Sequence, residues 1–327
     1  MFGSFASVII YRLKSKEGGI MAGRSHCKTC VRNLTALELI PIFSWLFQGG
    51  KCKGCKQKIS SIYPLLELAT GILFAAVGIF LISPELIFAG NVFEWIRMFF
   101  FAALMFLTVI YVFYDILYLE IPESILLIAN IGVFGTLVAQ GFGYAFIPYL
   151  LVGGFDFITL LLCLTIIGSL YYIMLAGLKD IWDILVILGN IGLLAAYFIL
   201  YVTYNFYAGN EILFSALLSG TIAALGVFIS FYLQILLSGG RAMGQGDLRI
   251  ALLMGMLTGI SFAFPAWMLC YIVGSVIGIF LIIKFKIKSG LKSGFNHQIP
   301  FGPFIASGYL CVLFFSSYIS KFIEWYL

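Results

Sequence analysis

Four cysteines and two aspartates are the residues of this 327-residue chain whose type and spacing could do chemistry. Cys27-Lys-Thr-Cys30 and Cys52-Lys-Gly-Cys55 are two Cys-x-x-Cys knuckles separated by twenty-one residues. Four thiolates at that separation can close tetrahedrally on one zinc ion. A zinc ion would hold together a loop too small for a core of its own. The competing reading is two disulfides, which a reducing compartment disfavours. Cys163, Cys270 and Cys311 fall in apolar segments and read as small buried side chains. His26 could compete for the metal, but four cysteines leave no vacancy. His297 reads as a solvated loop residue.

Asp115 ends an apolar run in "YDILYLEIPE", and Asp247 begins one in "GQGDLRIALLMG". Ionisable groups at membrane depth are costly and are suspects for function. Two carboxylates held close cannot both ionise cheaply, so one keeps its proton. The ionised partner can then take a proton from water while the protonated one polarises a peptide carbonyl. That is aspartic peptidase chemistry. Gly244 and Gly246 allow a tight turn and a close approach of backbone beside Asp247. Glu120, Glu123, Asp156, Asp180 and Asp183 also flank apolar runs and are rival acids, and Asp115 and Asp247 could instead be plain helix-end residues facing interfacial water.

The elements that must position these groups are membrane helices. The chain is 62% hydrophobic and only 10% charged, which excludes a soluble globular domain of this length. A span needs about 20 apolar residues to cross roughly 30 Å of hydrocarbon. Such runs fall near 62–82, 92–114, 121–142, 156–177, 184–206, 212–237, 248–264, 266–283 and 300–320. A shorter apolar stretch, residues 1–13, precedes them. The expected fold is therefore an all-α polytopic membrane protein of about ten transmembrane helices with a small zinc-binding cytoplasmic domain. Its domains are a short first helix at 1–13, the zinc-binding domain at 14–60, and a membrane domain at 61–327.

The net charge of +5 is concentrated. Ten of the nineteen Lys/Arg lie between Arg12 and Lys58. The positive-inside rule places that loop in the cytoplasm, and threading the spans from it puts Asp115 and Asp247 on the same inner face. All basic residues except Arg97 and Lys321 then lie inside. Charge bias explains the basic loop more simply than nucleic-acid binding, and anionic lipid headgroups are its expected partners.

Five segments in order carry a resemblance: "GSFASVIIYRL" at 3–13, "RSHCKTC…LELIPIFSWLFQGGKCKGCKQKISSIYPLLEL" at 24–68, "DILYLEIP" at 115–122, "MGQGDLRIALLMG" at 243–255 and "IPFGPFIASG" at 299–308. Together they resemble the bacterial prepilin peptidases, membrane aspartic peptidases of the Gly-x-Gly-Asp type. The resemblance implies cleavage of the short basic leader of type IV prepilins and pseudopilins at the cytoplasmic face of the inner membrane. It assigns the catalytic aspartates to Asp115 and Asp247, and zinc to Cys27, Cys30, Cys52 and Cys55. It also implies a second activity in many members, methylation of the new N-terminus from S-adenosylmethionine. No glycine-rich nucleotide fingerprint marks a methyl-donor site here.

Two features depart from the family pattern. Only Met1 and Phe2 precede the Gly-Ser-Phe stretch, where the family's first helix extends further upstream; either the helix is short or upstream residues are missing. The stretch between Asp115 and Asp247 is also longer by about two helices, expected within 146–210, and a pair leaves both aspartates on one face. A non-catalytic transporter or membrane scaffold with a zinc-ribbon loop is the alternative from another class.

Overall fold

The computed structural model describes residues 2–15, 27, 29–35, 38, 40–154, 156–176, 181–208, 215–241, 243–289 and 298–326. His26, Asp180 and His297 lie outside them. Among the described residues the regular structure is helical, with an isolated antiparallel bridge between Lys51 and Lys58. The chain divides into two compact units, Met1–Ile125 and Leu126–Leu327.

The first unit holds α1 (Phe2–Ser15), α2 (Phe43–Phe47), α3 (Ile62–Phe80), α4 (Pro84–Phe88), α5 (Val92–Tyr118) and the start of α6 (Glu123–Gly141). α1 packs on both α3 and α5. Its approach to α3 is close because Gly3 has no side chain: a Cβ there would lie 2.7 Å from the Glu67 Cα. α5 starts where Asn91 accepts hydrogen bonds from the Phe93 and Glu94 amides, which satisfies two of the orphan donors of a helix N-terminus. It ends at Leu119, whose left-handed backbone (φ 53°) turns its N–H back onto the Asp115 carbonyl. Asp115 thus lies inside the last turn of α5 rather than just beyond it.

The second unit holds the rest of α6 and then α7 (Phe157–Ala176), α8 (Ile181–Ala208), α9 (Ala216–Ser238), α10 (Asp247–Ser289) and α11 (Gly302–Tyr326). α10 is its centre, packed along α9 on one side and α11 on the other. From Leu248 to Leu257 its apolar side chains are almost wholly buried. The helices touch backbone to backbone at glycines. A Cβ on Gly255 would lie 2.3 Å from the Ala224 Cα in α9, and one on Gly308 of α11 would lie 2.4 Å from the Ala266 carbonyl in α10. Small residues at such seams let dispersion and carbonyl contacts replace the hydrophobic drive that lipid does not supply.

Among the described residues eight helices are long and apolar enough to cross a membrane, so the expected ten is not confirmed. Two causes account for the difference. α1 has 14 residues, about 21 Å of helix, which is short of the roughly 30 Å of hydrocarbon. The runs at 248–264 and 266–283 both fall within α10, in which two helical segments meet at a kink, and that kink lies at Gly259 and not at Pro265. Gly259 adopts φ 61°, ψ −179°, a conformation open to glycine and strained for other residues. The break is satisfied locally: the Ile260 amide donates to Ser219 Oγ at 3.1 Å, and the Tyr149 hydroxyl donates to the Leu257 carbonyl at 2.9 Å. Irregular backbone persists at membrane depth only with such partners.

The glycine seam gives a direct test. Gly255→Ala forces the α9 and α10 backbones apart and is expected to lower the thermal unfolding temperature of the detergent-solubilised protein, at a cost of about 1–3 kcal/mol. Gly226→Ala in α9 meets open space and is expected to leave it unchanged or slightly raised.

Candidate functional site

The four cysteines come together. Their sulfurs all lie within 4.8 Å of one another, and Cys27 Sγ and Cys55 Sγ are 3.8 Å apart. A metal–sulfur length of about 2.3 Å in a tetrahedron implies an edge of roughly 3.8 Å, so the donor set fits a tetrahedral metal ion. The cysteines are free thiols and not disulfides.

The two knuckles are built alike. Cys27 N–H donates to the Arg32 carbonyl and Val31 N–H to the Cys27 carbonyl; Cys52 N–H donates to the Gln57 carbonyl and Lys56 N–H to the Cys52 carbonyl. Val31 and Lys56 occupy the same place in each loop, and both are left-handed (φ 55° and 58°). A non-glycine residue in that region stores strain that the surrounding bonds must hold. The sequence carried no glycine there to announce it. The loops also aim amides at sulfur. The Cys27 thiol is drawn down to about 6, first by the Cys30 amide and then by that of Thr29. Cys52 is lowered in the same way by the Cys55 and Gly54 amides. Cys55 feels the Gln57 amide in the same sense, but lost hydration and the facing thiols of Cys52, Cys30 and Cys27 outweigh it and push it up to about 11. Four crowded thiols cannot all ionise without a cation among them.

Around this cluster Arg32 pairs with Glu38, whose carboxylate also accepts from the Thr35 amide at 2.9 Å and hydroxyl at 3.0 Å. These bonds, led by the Thr35 amide, hold the Glu38 carboxyl below its usual range. Trp45 of α2 donates to the Ile59 carbonyl at 3.2 Å and lies against Gly50, which joins α2 to the second knuckle.

Within the first unit, Asp115 is buried, 5% exposed, in the last turn of α5. The chain just past it is anchored to α1: Lys14 Nζ bonds both oxygens of Glu120 at 2.9 and 2.8 Å and stands 5.2 Å above the Tyr118 ring. Both partners of this ion pair are partly exposed, so its contribution to stability is small.

Within the second unit, Asp247 is the first residue of α10 and is 6% exposed. Its Oδ2 accepts the Gly244 amide at 3.1 Å, and its own amide donates to the Gly244 carbonyl at 3.2 Å. The turn does not need left-handed glycine at 244. A Cβ there would instead meet Asp247 Oδ2 at 3.7 Å, ordinary contact, so what this turn supplies is a backbone amide on the carboxylate. Asn130 of α6 was not singled out from sequence. It is 2% exposed, and its Nδ2 donates to the Arg249 carbonyl at 3.2 Å and to the Leu126 carbonyl at 2.9 Å. It therefore pins the first turn of α10 two residues past Asp247. Arg249 itself is buried and donates to the Met174 carbonyl of α7 at 3.4 Å. An asparagine inside "LLIANIGVF" was the signal that could have found this clamp.

The rival acids differ. Glu120 is partly exposed and paired with Lys14, and Glu123 is exposed in the first turn of α6. Asp156 is exposed and caps α7, accepting from the Ile158 amide and the Thr159 hydroxyl. Asp183 is buried, at 9% exposure, in the first turn of α8.

A family model described as "Bacterial Peptidase A24 N-terminal domain" matches residues 1–81, which take in α1, the cysteine loop and α3. The prepilin leader peptidase/N-methyltransferase of Bacillus subtilis (strain 168) is 60% identical over 68 residues, 20% of this chain and 27% of that relative. Relatives of the same name from Aeromonas hydrophila and Aeromonas salmonicida (strain A449) are 27% and 26% identical over 100% of this chain and 90% of their own lengths. No solved structure gives a match. Over its whole length this multi-pass membrane chain is thus similar to bacterial prepilin leader peptidases, and most strongly so over its N-terminal residues.

Proposed function

We propose that this chain is a membrane aspartic endopeptidase that removes the leader of type IV prepilins or pseudopilins at the cytoplasmic face of the inner membrane, with Asp115 and Asp247 as its catalytic pair. The observation that carries the proposal is that Asp115 and Asp247 are each buried at the end of a long apolar helix, Asp247 in a turn whose Gly244 amide holds its carboxylate. Asp183 is also buried at the start of a helix, but no Gly-x-Gly turn leads into it. Glu120, Glu123 and Asp156 are exposed, and are paired with a lysine, placed in a first helical turn and capping a helix, respectively. The names of the full-length relatives favour the same substrate class.

In this reading one proton is shared between the two carboxyl groups. The ionised carboxylate removes a proton from a water whose oxygen attacks the scissile carbonyl carbon. The protonated carboxyl donates to the carbonyl oxygen as it gains charge. Collapse of the tetrahedral species breaks the C–N bond, and the leaving nitrogen takes up the proton. The Gly244 amide holds the Asp247 carboxylate in one orientation, and the Asn130 clamp keeps the turn that carries it in place. Substrate enters sideways as an apolar helix, and membrane lipid is its surrounding solvent.

The metal proposed for Cys27, Cys30, Cys52 and Cys55 is zinc, which those four sulfurs would hold in a structural role and which would neutralise their crowded thiolates. A second activity is proposed with it, transfer of a methyl group from S-adenosylmethionine to the new N-terminal amine. There the C–S bond breaks, a C–N bond forms, and the amine loses a proton.

The following outcomes are expected. Asp115→Asn and Asp247→Asn should each lower cleavage of a prepilin in membranes by at least about 100-fold, scored by the mass shift of the product. The double variant should be no slower than the slower single one, because the pair acts as a unit; full cleavage by either single variant removes that residue from the pair. The purified chain should hold about one zinc ion, and Cys52→Ser should lower that content, measured by elemental analysis. Zinc binding requires thiolates, so protons oppose it. Affinity measured against a competing chelator should rise with pH, and should fall away as the solution is acidified through about 6, where Cys27 regains its proton. Prepilin cleaved in cells that contain this enzyme alone should carry one added methyl mass on its new N-terminus; an unmodified N-terminus rejects the second activity.

A further inference from the structure

The cysteine loop carries a short helix that its own fold leaves uncovered. α2 turns only Trp45 inward, onto Gly50 and the Ile59 carbonyl. Phe43, Leu46 and Phe47 are 61, 58 and 87% exposed, and Ile40 just before them is exposed as well. A soluble loop of this size gains nothing by holding three large apolar side chains in water.

The first unit also fixes where α2 stands along its helices. The Ile42 amide, at the head of α2, donates to Glu67 Oε2 at 2.7 Å. Glu67 lies within α3, about 8 Å along its axis from Ile62. At the same level α1 presents Gly3, whose absent side chain would meet the Glu67 Cα. From Gly3 to Lys14 is about 16 Å along α1, and Lys14 and Glu120 form a partly exposed ion pair that marks the polar end of these helices. The Glu67 carboxylate therefore ties the head of α2 to α3 between its first and second turns, beside apolar helix. The same loop carries Lys51, Lys53, Lys56 and Lys58, all exposed. Apolar side chains at the level of a span with lysines in the same small fold are the pattern of an interfacial element on an anionic leaflet.

We propose that Phe43, Leu46 and Phe47 of α2 insert into the interfacial layer of the leaflet beside the cysteine loop, with the neighbouring lysines on its anionic headgroups, so that the metal-binding loop rides on the membrane surface. The occupant of this face is lipid.

Phe47→Trp in the full chain tests it, read as the emission added over wild type after reconstitution. In bilayers containing phosphatidylglycerol, lipids brominated on their acyl chains should remove more than about half of the added emission, and aqueous iodide should remove little. Emission quenched by iodide and untouched by brominated lipid overturns the proposal. So does emission shielded from both, with cross-linked dimers, since a second copy would then cover α2. Bromine quenching should weaken in wholly phosphatidylcholine bilayers; equal quenching there overturns the role of the lysines. Leu46→Trp repeats the measurement on the same face, and only variants that keep the metal content of wild type are scored.

Discussion

Hydrocarbon solvates neither a charge nor an unpaired peptide group, and the arrangement of this chain follows from that limit. Among the described residues, the buried acids of the long helices stand near helix ends. Asp115 lies in the last turn of α5, and Asp247 opens α10, where the Gly244 amide reaches its carboxylate. Glu94, buried near the start of α5, pairs with Arg97 at 3.1 Å. Gln140, fully buried, spends its side-chain amide on the Ile147 and Leu150 carbonyls and accepts the Ile147 amide, so one side chain fastens the irregular stretch after α6. Leaving such a group without partners costs about 1–3 kcal/mol, which is why loops at this depth are stitched and not merely packed.

The same limit explains why α10 can break. Gly259 interrupts its hydrogen-bond ladder, and Ser219 and Tyr149 take the freed amide and a nearby carbonyl. Above the break, α10 sits against α9 so tightly that Gly255 rests on the Ala224 backbone. The turn that bears Asp247 is thus held from below by glycine contacts and from the side by Asn130. The cysteine loop meets a different problem. It has too few residues for a core, so two strained knuckles aim four sulfurs at one point and Trp45 supplies the little packing there is.

Much of this was legible in the residues. The Cys-x-x-Cys pairs have a spacing that leaves few geometries, and the sulfurs do converge. Hydropathy exposes membrane helices because their composition has to match lipid along roughly 30 Å. Their number was less legible, because the residue periodicity of a broken helix and of two helices is the same. Nothing in the letters told that Pro265 would be tolerated inside α10 while Gly259 would take a left-handed backbone. The left-handed Val31 and Lys56 were hidden for a related reason, since neither is a residue that favours that region.

Composition and order alone determined an all-helical membrane chain, the four-sulfur cluster and the likeness to the prepilin peptidases, because each depends on local chemistry or on motifs in a row. Which carboxylates lie buried, which turn holds Asp247, and that Asn130 clamps the start of α10 were decided only by tertiary structure. Burial and hydrogen bonding depend on which helices meet, and that depends on shape at contacts such as Gly3 with Glu67 and Gly255 with Ala224, which no single segment contains.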